Sequence, residues 1–315
     1  MTLSAWRSGG HLRILAAWAF ACMMSIAAPV AASHVAVVMS DESMPYQEVE
    51  QVIRLALEES GHQTSRAYAD GVTAGFLSEA KLIVAVGVRA AETLAALPGR
   101  QSVLAVLIPR AWYAKVGRAR LSDGGRRLTS AIFLDQPFER QAKLIRLAFP
   151  EARKVGVLLS AEQRYLADEL GDALRAHRIG VVQSLVTDED RLIIPLEQVL
   201  SETDVLLAIP DTLVFNRNTA QSIFLTSYRY RDPIVGYSRS MTRAGALVSV
   251  YSTPAQIGQQ SAEWIIGVLA HSTLRLPPPA HPAYFEVSIN DQVARSLGIS
   301  LPTEVELEKQ LGGVR

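Results

Sequence analysis

Short, wholly apolar runs alternate with amphipathic helices along almost the whole chain, and this alternation constrains the fold more than any other feature. Residues 34–39 read as a buried strand, and residues 46–60 set Val49, Val52, Ile53, Leu55, Ala56 and Leu57 largely on one side of a helix ended by Gly61. The order repeats in strand 81–86, helix 89–97 stopped by Pro98-Gly99, strand 102–108, strand 130–134 and helix 138–149 closed by Pro150. From Lys154 it begins again, with strands 155–159, 181–186, 204–209 and 233–237 separated by helices 164–177, 194–200 and 216–230. Strands this apolar are covered on both faces, as in parallel sheets. Two such series predict an α/β protein of two doubly wound, parallel-sheet lobes, with ligands held beyond the strand C-termini.

At 315 residues the chain exceeds the usual size of one core, which agrees with two packed units. A strand over 244–251 and a helix over 254–269 lead into Pro277-Pro278-Pro279, an extended connector suited to crossing between lobes. A strand over 284–289 follows, then a helix over 292–297 capped by Asn290 or Asp291 and ended by Gly298. The expected boundaries are 33–152 plus about 245–275 for lobe I, 153–244 plus about 276–305 for lobe II, and 306–315 as a tail. A multi-strand hinge near Pro150, Tyr251 and Pro277 to Pro279 joins the lobes. Residues 109–130 are weakly patterned and read as a loop with a short strand. Their Arg118, Arg120, Arg126 and Arg127 read as a solvated face, or as a group holding an anion or docking a partner.

The first 32 residues stand apart. Arg7, His11 and Arg13 precede an apolar run over 14–26 whose 13 residues fall short of a membrane span. The small residues from Ala27 to Ala32 follow, so residues 1–32 read as a secretory signal peptide cleaved before Ser33, and the protein is expected in the periplasm. Cys22, the sole cysteine, lies inside this leader, so the mature chain is expected to have no disulfide. Lipidation of Cys22 finds a small neighbour in Ala21 but is opposed by Phe20 and the apolar continuation.

Basic and acidic residues both number 31, which leaves no net field to attract nucleic acid or anionic lipid. His34, His62, His177, His271 and His281 lack metal-ligand spacing, and no HExxH, GxSxG, Walker or GxGxxG pattern appears. No enzyme, metal or cofactor is expected.

Five segments together carry a family likeness: LIRLAFPEARKVGVLLS, DVLLAIPDTLVFN, DPIVGYS, STPAQIGQQSAEWIIGVL and VSINDQVARSLGISLP. With them most of residues 35–302 resembles the ABC transporter substrate-binding protein family, of type I periplasmic-binding fold. The resemblance implies an extracytoplasmic protein that closes two lobes on a small organic ligand, such as an amino acid or related carboxylate, for the membrane permease of an ABC-type importer. Carried onto this sequence, the cleft-facing positions are Ser40 and Tyr46 after the first strand, Gly87, Val88 and Arg89 after strand 81–86, and Asp135 near the lobe junction. The second lobe adds Gln163, Arg164, Asp211, Tyr237 and Ser238, and Tyr251 lies where the chain re-crosses.

Three departures fall at these edges. Gly87-Val88 replaces a Gly-Thr or Gly-Ser pair, although the amides of the following helix and Arg89 still suit an anion. The segment Ile108 to Tyr113 replaces an Asp-Pro-Val turn, and Leu128-Thr129-Ser130-Ala131 replaces a glycine-rich one. By residue chemistry, Arg89 and Arg110 can grip a carboxylate. Asp211 can pair an ammonium or cap its helix. Tyr46, Trp112, Tyr237 and Tyr251 can stack on a ligand or pack as wall. The departures also support an alternative, a receptor-like accessory with an altered cleft that serves a membrane sensor or outer-membrane partner rather than import.

Overall fold

The computed structural model describes residues 32–313, so the signal peptide and Cys22 readings lie outside the described residues. Among the described residues eleven strands form two sheets. The first comprises β1 (His34–Met39), β2 (Gln63–Tyr68), β3 (Leu82–Val86), β4 (Ser102–Ile108) and β5 (Thr129–Phe133), in the order β2-β1-β3-β4-β5 and parallel throughout. The second comprises β6 (Lys154–Ser160), β7 (Gly180–Val186), β8 (Val205–Leu207), β9 (Ile234–Gly236), β10 (Val248–Tyr251) and β11 (Glu286–Ile289). Its order is β11-β10-β9-β8-β6-β7, with β11 alone antiparallel.

Side-chain alternation builds a core on each face of the first sheet. Val35, Val37 and Met39 of β1 pack with Val49, Ile53 and Leu57 of the Met44–Glu59 helix and with Ile257 and Ile265 of the Pro254–Leu269 helix. Ala36 and Val38 face the other way, toward Ala90, Leu94 and Leu121. The second sheet is sandwiched in the same manner by two further clusters. This is the two-lobed α/β architecture expected from the sequence.

Three segments join the sheets, and their positions revise the expected boundaries. The first crossing is at 134–137, not Pro150, because Ala142, Leu144 and Ile145 of the Phe138–Ala148 helix already pack with Val155 and Val157 of the second core. Strand β10 pairs with β9 and β11, so 245–251 belongs to the second sheet and not to lobe I. The chain re-crosses at Ser252 and Thr253, where Thr253 and Gln256 cap the Pro254–Leu269 helix reciprocally. That helix lies on Met44–Glu59 so closely that a Cβ on Gly258 would come within 3.1 Å of the Val49 carbonyl oxygen. The proline connector then runs along β5: Ala280 N–H donates to Ala131 O at 2.9 Å and Phe133 N–H to Ala280 O at 3.0 Å. Residues 277–280 therefore lie on the first sheet, not in lobe II.

Other local differences have plain causes. Strand β2 (QTSRAY) is an edge strand with no fully buried residue, so it lacks the apolar signature of its neighbours. Residues 110–122 are helical, as Arg110–Trp112 and Arg118–Ser122 joined by a wider turn, Tyr113–Gly117. Arg127 is buried rather than solvated, and donates to the carbonyls of Leu94, Leu97 and Gly99 at 2.8, 2.5 and 2.8 Å. The supposed tail is a capped helix, Glu304–Leu311, whose Leu307 is buried in the second core.

Candidate functional site

The C-terminal ends of strands from both sheets open on a cavity of about 810 Å³. From the first sheet come Pro109, Arg110 and Ala111 after β4 and Leu134, Asp135 and Gln136 after β5. The second sheet gives Ser160 to Gln163 after β6, Ile209 to Leu213 after β8, Tyr237 and Ser238 after β9, and Tyr251 and Ser252 at the end of β10. Phe138, Gln141, Glu169, Phe215 and His281 complete much of the wall.

Of the positions named from the sequence, Asp135, Gln163, Asp211, Tyr237, Ser238 and Tyr251 line this cavity. Asp211 is buried and ties two loops together: its Oδ2 accepts from Ser160 N–H and its Oδ1 from Leu213 N–H, each at 2.9 Å. Gln163 Nε2 donates to the Pro210 carbonyl at 2.6 Å. Tyr237 meets Phe215 edge-on with centroids 6.3 Å apart, and burial pushes its hydroxyl pKa up. Ser238 caps the Arg239–Ala244 helix by accepting from Met241 N–H at 3.2 Å. The Tyr251 hydroxyl accepts from Arg239 Nε at 2.7 Å, which holds the ring edge at the crossing.

Ser40, Tyr46, Gly87, Val88, Arg89 and Arg164 do not line the cavity. The Ser40 hydroxyl donates to Val86 O and accepts from Ala90 N–H, both at 3.0 Å, so it consumes an amide at the helix start that an anion would need. Tyr46 packs over Gly87, where a Cβ would fall 2.8 Å from the ring. Arg89 is exposed and ion-paired to Asp70. Arg164 is exposed on the turn Ala161–Leu166. Trp112 does not face the cavity either: its ring lies against Gly117 and its Nε1 donates to Glu92 at 3.4 Å.

Arg110 does face the cavity, but its guanidinium already grips a protein carboxylate. It donates twice to Glu169, at 3.0 and 2.6 Å, and so links a first-sheet loop to a second-sheet helix across the opening. Its backbone N–H donates to Asp135 Oδ2 at 2.6 Å. His281 Nδ1 lies 2.7 Å from the Asp135 carbonyl, which can only accept, so this nitrogen carries the proton. Burial pushes the His281 pKa down, and the ring is neutral at pH 7.

Sequence reasoning passed over Gln136, Gln141, Glu169, Phe215 and His281. Gln136 alone had a usable signal, since it follows a strand C-terminus; Gln141 and Glu169 come from helix faces, Phe215 from the irregular loop after β8 and His281 from a connector. Among the described residues, no group of three or more His, Cys, Asp or Glu side chains is placed to hold a metal ion. No helix among them is long and apolar enough to cross a membrane.

Two parallel-sheet lobes with a cavity beyond their strand ends define a periplasmic-binding-type fold. A family model described as "ABC transporter substrate binding protein" matches residues 120–310, and the chain belongs to that family. No curated protein matches it. Among solved structures, a ligand-free, open substrate binding protein with adhesive properties from Clostridium difficile has a TM-score of 0.69 at 15% identity, covering 86% of this chain and 96% of its own. A conserved domain protein from Vibrio cholerae has a TM-score of 0.60 at 18% identity, covering 90% and 99%. An ABC domain in complex with L-Trp from Streptococcus pneumoniae has a TM-score of 0.59 at 16% identity, covering 90% and 100%. At these identities the likeness is one of fold. The family and fold are those of solute-binding proteins.

Proposed function

We propose that this chain is an extracytoplasmic receptor that closes its two lobes on a small organic solute and presents it to the permease of an ABC importer. One observation carries the reading: a cavity of about 810 Å³ lies between the strand ends of both sheets, large enough for an amino acid or a molecule of similar size. In this reading Asp135, Gln163, Asp211, Tyr237, Ser238 and Tyr251 contact the solute, and closure is a shift in population toward the state with most contacts across the gap. The leader over residues 1–32 and a periplasmic location belong to the same proposal. The amino-acid ligand in the Streptococcus structure fits this size class. No observation favours the membrane-sensor alternative.

The test is native mass spectrometry of the purified chain for a co-purified solute, followed by thermal-shift screening of a metabolite library. A solute should raise the melting temperature, and Tyr237→Ala should weaken its binding. A chain that stabilises with no solute, and carries none when purified, would overturn the proposal.

A further inference from the structure

We propose that the solute is a cation rich in hydrogen-bond donors on an apolar body, and not a molecule held by its carboxylate; this rests on the receptor reading above. The charge on the cavity wall is one-sided. Among the described residues, Asp135, Glu162, Glu169 and Asp211 line it against a single guanidinium, Arg110, which Glu169 already occupies through two hydrogen bonds; Asp211 is held by the Ser160 and Leu213 N–H groups, which leaves Asp135 and Glu162. The two other features suited to an anion are spent outside the cavity: Arg89 on Asp70, and the helix amide at Ala90 on Ser40.

An independent observation points the same way. Gln141 is 95% buried (5% exposed), lines the cavity, and its Oε1 finds no donor among the described residues, while its Nε2 reaches only Gln136 O at 3.4 Å. Gln163 repeats the pattern, because its Nε2 is fixed on Pro210 O and its buried Oε1 has no donor. A buried acceptor left without a donor costs about 1–3 kcal/mol. Two amide oxygens and the carboxylates of Asp135 and Glu162 around one cavity thus ask for N–H groups from the ligand. Phe138, Phe215 and Tyr237 offer ring surface for the apolar part and for the cation itself. A protonated amine on an aromatic or alkyl body meets all three demands, and an anchoring carboxylate meets none.

The probes are phenethylamine and its isostere 3-phenylpropionate, titrated calorimetrically into the full purified chain and into Asp135→Asn and Gln141→Leu, with circular dichroism checking the fold of each. The amine should bind at least tenfold more tightly than the acid, and each substitution should weaken it by about tenfold, the equivalent of one hydrogen bond to a charged group. Equal or tighter binding of 3-phenylpropionate would overturn the inference and leave the receptor reading standing. So would a neutral or anionic co-purified solute when neither probe binds. Amine binding indifferent to both substitutions would place it outside this cavity and overturn the inference as well. If no probe binds and no solute is found, both readings fall together.

Discussion

The two sheets present their strand C-termini in opposite ways. In the second, the ends of β6, β8, β9 and β10 all open on the cavity and carry polar or aromatic groups to it. In the first, only β4 and β5 contribute, while the ends of β1 and β3 are closed by the protein itself: the Ser40 hydroxyl takes the Ala90 amide and Tyr46 covers Gly87. A helix start next to a strand end is therefore a binding position only where no side chain of the chain has reached it first. The cavity is walled mostly by the second lobe, and the first reaches its edge through Arg110 and the loop after β5.

The largest expected effect tests whether the β1 and β3 ends are truly filled. Gly87 has φ of +88°, and an added Cβ would fall 2.5 Å from Ser40 Oγ and 2.8 Å from the Tyr46 ring. Gly87→Ala should cost about 2–5 kcal/mol from backbone strain and overpacking together. Urea denaturation measures it, and a neutral result would mean that this end is open after all.

The contrast recurs at the opposite edges, where each sheet buries a charged-type side chain just before a strand. Arg127, before β5, is satisfied by three carbonyls. Asp232, before β9, has Oδ1 without a partner among the described residues, and burial, with a smaller push from Asp204, raises its pKa from 3.8 to about 7. Thr203 Oγ1 lies 2.7 Å from Asp232 Oδ2 and 3.0 Å from Val199 O, and its one proton cannot serve both. A protonated Asp232 resolves the conflict by donating to that hydroxyl. Because the folded pKa is raised, the folded state holds an extra proton between about pH 4 and 7; stability is full below that window and is lost as pH rises through it. Asp232→Asn should remove this slope and gain about 2–3 kcal/mol at pH 8 while changing little near pH 4. Melting temperatures at pH 5 and 8 that run parallel in the two chains would refute this.

How much of this was legible in the sequence follows from where the deciding contacts lie. Strands β1, β3 and β4 are covered on both faces, so their apolar runs announce them; β2 and the short helix Arg239–Ala244 carry no such run and went unread. At the site, the family resemblance set Asp211, Tyr237 and Tyr251 beside the cleft, and each follows or ends a strand of the second sheet and lines the cavity. The fate of Gly87 and Arg89 could not be read in this way, since it depends on Ser40 and Asp70, partners distant in sequence that only the folded sheet brings near. The boundary at Pro150 failed for a related reason. A helix declares its apolar face in sequence, but not which of two sheets that face meets.

Ser40→Ala sharpens the comparison at the level of single groups. It strands the Ala90 N–H and removes one of two donors to Val86 O, the Ser40 N–H being the other, and should cost about 1–3 kcal/mol of stability. Affinity for the solute, measured on the folded variant, should not change, because Ser40 lies off the cavity. Tyr237→Ala should do the reverse at the binding step and weaken the solute about tenfold or more. A Ser40→Ala chain that loses affinity in step with stability would return the first lobe's β1 and β3 ends to the binding surface.

The smallest effect concerns Arg110, the first-lobe cation on the cavity wall. The Arg110–Glu169 pair is bidentate, which favours it, but Glu169 is half exposed, so solvent screens the pair and its worth is at most about 1 kcal/mol. That is still enough to matter for a hinge, because an equilibrium between open and closed lobes responds to energies of this size where the fold as a whole does not. Glu169→Gln should raise the solute-free radius of gyration in small-angle scattering at low ionic strength, and the difference should shrink as salt screens the wild-type pair. Thermal stability should barely move. Identical scattering from both chains at every salt concentration would mean that Arg110 only covers the rim of the cavity and does not hold the lobes together.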